Sequence, residues 1–254
     1  MKRAFLWLIP VIALGVPAAL YFWPETEEPQ PEIVAAPAPA PEPEIRYPVD
    51  SQAPAEPLPP LAESDGAVRD AFIALFGEEL NKWINYKDIV RRLVATVDNL
   101  PLDHVSPQLL PVKPVNGFLL TGKVGEKLAL SPDNAGRYHP YVRLAEAVPT
   151  DALVALYLRF YPLFQQQYEN LGHPDGYFND RVVQVIDHLL ATPEVQGPVL
   201  LVQPNVVYEF DDPYLESLSA GQKILLRIGE TNRVKVKSKL REIRQALVSK
   251  APQE

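Results

Sequence analysis

Hydrophobic and polar positions divide the 254-residue chain into three regimes. Residues 4–23, opening at Ala4 and closing at Trp23, run without a single charge; at helical rise they extend about 30 Å, the thickness of bilayer hydrocarbon. Residues 24–61 show no sustained period. From residue 62 onward apolar residues recur at helical spacing: Val68, Phe72, Leu75 and Phe76 up to Gly77, then Ile84, Ile89, Leu93 and Val97 up to Pro101. The first group predicts a helix capped by Ser64, the second a helix from Glu78 to about Leu100, and together an αα pair.

Further along, Leu153, Leu156, Phe160, Leu163 and Phe164 predict a long helix opened by Thr150, interrupted by Pro162 and ended by Gly172. Val182, Val183, Val185, Ile186, Leu189 and Leu190 predict another, from near Asn179 to just before Pro193. Shorter helices are expected around residues 140–147, after Asp212-Pro213 and from Ser219 to Ile228, with a last one over 231–249. Residues 102–134 are rich in Pro and Gly and hold β-type pieces only at 118–120 and 127–130. Residues 199–203 and 206–210 are two β-type runs split by Pro204-Asn205, which predicts a hairpin. The expected class is mainly α with minor β: an N-terminal transmembrane helix (1–23), a disordered Pro-rich linker (24–61), and a helical domain (62–250) carrying one or two small β-hairpins.

Charge gives the first regime an orientation. Lys2 and Arg3 precede the apolar run and Tyr21, Phe22 and Trp23 close it, so the N-terminus is expected in the cytoplasm and the domain in the periplasm, on a single-pass inner-membrane anchor. The competing reading is a signal peptide cut beside Ala18-Ala19; the run's length and aromatic end favour a retained anchor. The linker holds twelve prolines in thirty-eight residues, interleaved with Glu and Ala. Polyproline II at about 3.1 Å per residue gives it a reach on the order of 100 Å.

The net charge of −8 is unevenly spread. Residues 231–254 carry seven basic and two acidic side chains against fourteen and twenty-two over 62–230, a basic end on an acidic body, which with the periplasmic topology argues against a nucleic-acid partner. The absence of cysteine excludes thiol catalysis, Cys-based zinc sites and iron–sulfur clusters. No two of His104, His139, His173 and His188 share the i, i+4 spacing of a helical metal site, no phosphate loop or nucleophile elbow occurs, and no cofactor or metal is expected.

Three groups of residues remain as candidates for chemistry. Around Pro140, Arg137, Tyr138, His139, Tyr141 and Arg143 concentrate donors and aromatic faces suited to a carboxylate, sugar or peptide ligand, with Glu169 or Asp187 as a carboxylate from elsewhere. The competing reading has Arg137 on a buried carboxylate and the tyrosines in the core. His188 adjoins Asp187, but successive helical side chains diverge by about 100°, so the two form no relay with each other. On the last helix Arg233, Lys237, Lys239, Arg241 and Arg244 are anion-binding candidates for phospholipid head groups or acidic envelope polymer, or a solvated face. Val234, Val236, Leu240, Ile243 and Leu247 are expected to dock that helix, leaving its cations outside.

The words Arg137-Tyr138-His139-Pro140-Tyr141-Val142, Tyr161-Pro162-Leu163-Phe164-Gln165-Gln166, Phe178-Asn179-Asp180-Arg181 and Asp187-His188-Leu189-Leu190-Ala191-Thr192-Pro193, with Asp212-Pro213 and Ser219-Ala220-Gly221-Gln222-Lys223, resemble those of a bacterial family, domain of unknown function 3014. The likeness covers most of residues 65–248. It implies a cell-envelope protein and supplies no activity or catalytic residue. The expected function is a non-enzymatic one: an anchor in the lipid bilayer and a spacer presenting an interaction domain to an envelope protein or cell-wall component. The alternative is an envelope enzyme or ligand-binding module working through residues 137–143. A reporter active only outside the cytoplasm, fused after Glu254, is expected to be active; activity of a cytoplasmic reporter there would reverse the orientation.

Overall fold

The computed structural model describes residues 44–49 and 57–249, all within one unit that spans 42–254. The expected anchor, residues 4–23, lies outside the described residues. Among the described residues no helix is long and apolar enough to cross a membrane.

Among the described residues are eight α-helices: α1 (Asp65–Phe76), α2 (Ile89–Asn99), α3 (His139–Ala147), α4 (Thr150–Asn170), α5 (Phe178–Leu190), α6 (Pro213–Glu216), α7 (Ala220–Arg227) and α8 (Glu230–Ser249). Four short strands, β1 (Thr121–Val124), β2 (Lys127–Leu130), β3 (Leu200–Val202) and β4 (Glu209–Phe210), add a small sheet. The fold is mainly α with minor β. The two expected hairpins are one object: β2 pairs with β3 through Leu128–Leu201 and Ala129–Leu200, giving an antiparallel sheet in the order β1-β2-β3-β4.

Two expected elements differ. The segment from Glu78 is not one helix: a 3-10 turn over Glu78–Lys82 gives way to an extended stretch in which Ile84 bridges Val112, and α2 starts only at Ile89. Asp65, in the first turn of α1, accepts hydrogen bonds from the Asp88 and Ile89 amides at 2.8 and 3.0 Å, so the new helix start is capped from its neighbour. The second difference is that α4 runs straight through Pro162. One lost intrahelical bond is outweighed by burial, since Phe160, Tyr161, Leu163 and Phe164 around the proline are all core residues.

The main core lies between α1, α2 and α4 and includes Val68, Ile89, Val94 and Phe160. Helix α5 then connects two further clusters. Val183 and Ile186 pack with Val154 and Leu247, while Val185 and Leu189 pack with Leu225 and Ile228. Beneath the sheet Leu201, Phe210, Leu215, Leu218 and Leu226 form a satellite core. Glu216 ties that core to the sheet, accepting from the Phe210 amide and from Lys223 Nζ, both at 2.8 Å. Burial pushes the Glu216 carboxyl up, but these donors and Arg227 outweigh it and hold it below the usual carboxylate range.

Helix α7 begins with a capping box, Ser219 and Gln222 exchanging side-chain-to-backbone bonds. Its first amides reach across to another element: Ala220 N donates to Leu102 O at 2.7 Å and Gly221 N to Leu100 O at 2.9 Å. That approach leaves no space for a side chain at Gly221, where a Cβ would stand 2.6 Å from Leu189 Cδ2 and 3.0 Å from Leu100 O. Gly221→Ala is therefore expected to destabilise the domain by about 1–3 kcal/mol despite alanine's higher helix propensity. Gly66→Ala, in open space on α1, should be neutral or stabilise by up to about 1 kcal/mol. Urea denaturation of both variants checks this, and equal effects at the two sites would refute it.

Candidate functional site

A polar cleft of about 450 Å³ lies where residues 44–47 cross the start of α5. The crossing follows from local sequence. Residues 44–49, Glu44-Ile45-Arg46-Tyr47-Pro48-Val49, contain a proline and form no helix or strand, so their backbone groups need partners elsewhere. The first turn of α5 provides them. Asp180 accepts from Arg46 N at 2.9 Å and from Tyr47 N at 2.8 Å; Asn179 Nδ2 donates to Tyr47 O at 2.8 Å; the Tyr177 hydroxyl accepts from Val49 N at 2.7 Å. Val49 itself is buried in the main core. The folded part thus begins well ahead of the boundary expected at residue 62.

Supporting groups hold these anchors still. Asn179 is fully buried, its Oδ1 accepting from Tyr157 OH at 3.1 Å. Burial drives the Tyr157 hydroxyl well above the ordinary tyrosine range; burial and then the bond to Tyr177 do the same for Tyr161, so both are neutral structural donors. On the cleft floor Arg181 donates to Asp98 Oδ1 (2.8 Å), to the Asp98 carbonyl (2.7 Å) and to Gln184 (2.7 Å). The other Asp98 oxygen lies 3.2 Å from His173 Nε2, and the His173 ring stacks on Tyr168 with centroids 4.3 Å apart. At the far rim Arg244 donates to both oxygens of Asp187, from Nε at 2.5 Å and from Nη2 at 3.0 Å; this bond raises the pKa of Arg244 and outweighs burial, which lowers it. The cleft walls carry Glu44, Asp175, Asp180 and Asp187 against Arg46 and Arg181. What this arrangement does is hold irregular backbone, the chain's own residues 46–49.

Residues 137–143 do not gather into a site. Arg137 donates to Asn134 Oδ1 (2.9 Å) and to the carbonyls of Asn116 (3.1 Å) and Gly117 (2.8 Å), fastening a loop and bonding no carboxylate. Tyr138 packs beside Val185 and Leu225. Tyr141 meets Trp83 edge-on with centroids 4.6 Å apart, and burial raises its pKa. Only His139 and Arg143 face an open hollow, about 350 Å³, shared with Val142, Thr231, Asn232 and Lys235. Neither expected carboxylate joins them: Glu169 accepts from Gln165, and Asp187 is engaged by Arg244.

His188 Nε2 lies 2.8 Å from Ser219 Oγ, a serine–histidine contact of the kind used for acyl transfer. Here the serine oxygen accepts from Gln222 N at 3.3 Å to cap α7 and is buried, and the adjacent Asp187 points to Arg244. The pair closes a helix start. Among the described residues no group of three or more His, Asp or Glu side chains is placed to hold a metal.

The last helix docks as expected through Val236, Leu240, Ile243 and Leu247, but not through Val234, and two of its cations lie inside rather than out. Val234 is 58% exposed, whereas Arg233 and Lys237 are 4% and 6% exposed. Lys237 Nζ donates to Thr192 O and Lys239 Nζ to Val148 O, both at 2.5 Å; Lys235 pairs with Glu146 at 2.9 Å and Arg244 with Asp187. Lys237 is drawn into the buried stripe by the Thr192 carbonyl on the loop after α5.

A family described as "Protein of unknown function (DUF3014)" matches residues 89–244. The chain belongs to the DUF3014 family. Comparison with curated proteins and with solved structures finds no match. The DUF3014 match runs from the start of α2 into α8 and contains every anchor on α5, while residues 44–49 and α1 precede it. Sequence reasoning missed the anchors in this DUF3014 chain. Their signal was present in Phe178-Asn179-Asp180-Arg181, three polar residues packed into one first helical turn directly after a buried aromatic.

Asp180→Ala removes both acceptors that face residues 46 and 47. It is expected to cost about 1–3 kcal/mol and to speed tryptic cleavage after Arg46 at temperatures where the helical body remains folded. Unchanged cleavage kinetics would show that Asp180 does not hold this segment.

Proposed function

We propose that this DUF3014 protein is a single-pass membrane-anchored envelope protein whose spacer displays a helical interaction domain in the periplasm, with its N-terminus in the cytoplasm. The observation that carries this reading is the clamp on residues 46–49. Four backbone bonds and the buried Val49 hold residues 46–49, within the proline-rich stretch, against the helical body. Such a joint serves to position a surface.

The surface presented to a partner is placed at one end of the sheet. By strand register the β1–β2 turn and the β3–β4 turn lie at the same end, and they bring Val124, Val202, Val206 and Val207 there, with Val206 90% and Val207 64% exposed. Apolar turn residues left in water are a feature of contact sites. The serine–histidine and arginine clusters are consumed by capping and loop fastening, which supports binding over catalysis.

A photo-crosslinking residue introduced at Val206 or Val207 in the full chain, activated in intact membranes, is expected to trap a defined envelope protein. A chain ending at residue 61 and carrying the crosslinking residue within 24–61 should not retrieve it. If both chains retrieve the same set, the displayed domain is not an interaction module.

A further inference from the structure

The N-terminal halves of α3 and α8 line one hollow of about 350 Å³. Each helix brings to it a pair of residues four apart, which stack on a single helical face: His139 and Arg143 from α3, Thr231 and Lys235 from α8. The remaining lining residues, Val142 and Asn232, are 6% and 1% exposed and make its floor. Asn232 is fixed there, because its side-chain nitrogen donates to Ala135 O at 2.9 Å and to Ile228 O at 2.8 Å. The hollow therefore has a rigid base and a polar rim, and its size falls within the roughly 300–1,000 Å³ of small-molecule sites.

The rim is a set of donors. Lys235 is matched by Glu146 at 2.9 Å, which leaves its ammonium two further hydrogens to give. Arg143 and His139 are exposed and have no hydrogen bond, ion pair or ring contact among the described residues. Exposure means that neither needs a partner for stability; what matters is that they border the same hollow as Lys235. Among the described residues no carboxylate lines it. With Glu146 set against Lys235, the Arg143 guanidinium supplies one surplus positive charge. A single charge on a planar fork suits a carboxylate, whose two oxygens a guanidinium takes in parallel. Beneath that fork, Val142 and the aliphatic stems of Arg143 and Lys235 offer apolar surface.

We infer that this hollow binds a small organic carboxylate with an apolar body. The carboxylate is held by the Arg143 fork, with His139, Thr231 and Lys235 as flanking donors, and the body rests on Val142. A free carboxylic acid and the C-terminal carboxylate of a peptide share this chemistry. The site has no residue in common with the sheet end or with the clamp at Asp180, so it stands or falls apart from the interaction surface.

The test titrates the full 254-residue chain in neutral detergent at neutral pH and constant ionic strength, following the backbone amide resonances of Val142, Thr231 and Asn232. The probes are hexanoate with its uncharged counterpart hexanamide, and acetyl-alanyl-leucine with a free or an amidated C-terminus. A saturable shift with hexanoate supports the site with a free acid as ligand; one with the free-acid peptide alone supports it with a chain terminus as ligand. In either case the amide form should bind about tenfold more weakly or worse, and Arg143→Gln, an exposed change outside the core, should weaken binding of the acid about tenfold, the loss of one charge-assisted pair. The inference is overturned if no probe gives a saturable shift, if the amides bind as well as the acids, or if Arg143→Gln binds as the parent chain does. The comparison of acid with amide needs no variant and decides the matter whatever Arg143→Gln does to folding.

Discussion

Helix α5 is covered on two sides, by Val154 and Leu247 over Val183 and Ile186, and by Leu225 and Ile228 over Val185 and Leu189. A helix enclosed in this way has little freedom to shift, because a small translation would unseat both layers together. The position of α5 therefore fixes every polar group at its ends. At its start, Phe178 is sunk against Phe164 and Tyr168, which directs Asn179 and Asp180 outward along the path of residues 46–49. At its end, Thr192 presents the carbonyl that Lys237 takes.

The clamp at the start of α5 and the cations beside its end are governed by the same constraint. Backbone groups of an extended segment and charges inside a helical body both need partners that water cannot fully supply. For residues 46–49 the partners are a carboxylate, an amide and a phenol. For Lys237 the partner is the Thr192 carbonyl. The serine–histidine contact at His188 is structural in the same way, since both residues are used in starting α7.

Legibility varied with the range of the forces involved. Helices α3, α4, α5, α7 and α8 were readable from apolar spacing and caps because those signals are local, and the hairpin over 199–210 was readable from its turn, whereas the strand expected at 118–120 lies at 121–124. Fusion of the strands into one sheet was not readable, since pairing Leu128 with Leu201 joins positions far apart in sequence. The break between Lys82 and Ile89 was hidden too: the apolar stripe continues through Ile84, and only the Val112 bridge and the Asp65 cap show that the chain leaves the helix there. Arg137 has the composition of a ligand contact, yet its three acceptors sit on a loop and a buried asparagine.

By itself the sequence determined the family, the mainly helical class, and the division into an uncharged N-terminal run, a proline-rich stretch and a helical body, because composition and periodicity are properties of neighbours along the chain. Tertiary structure alone decided that residues 46–49 of the proline-rich stretch pack on the body, and that Lys237 of α8 turns inward onto the Thr192 carbonyl while Val234 turns out. Those outcomes depend on which carbonyls and carboxylates other elements bring within about 3 Å, and hydrogen-bond reach of that kind leaves no periodic trace in the residues that use it.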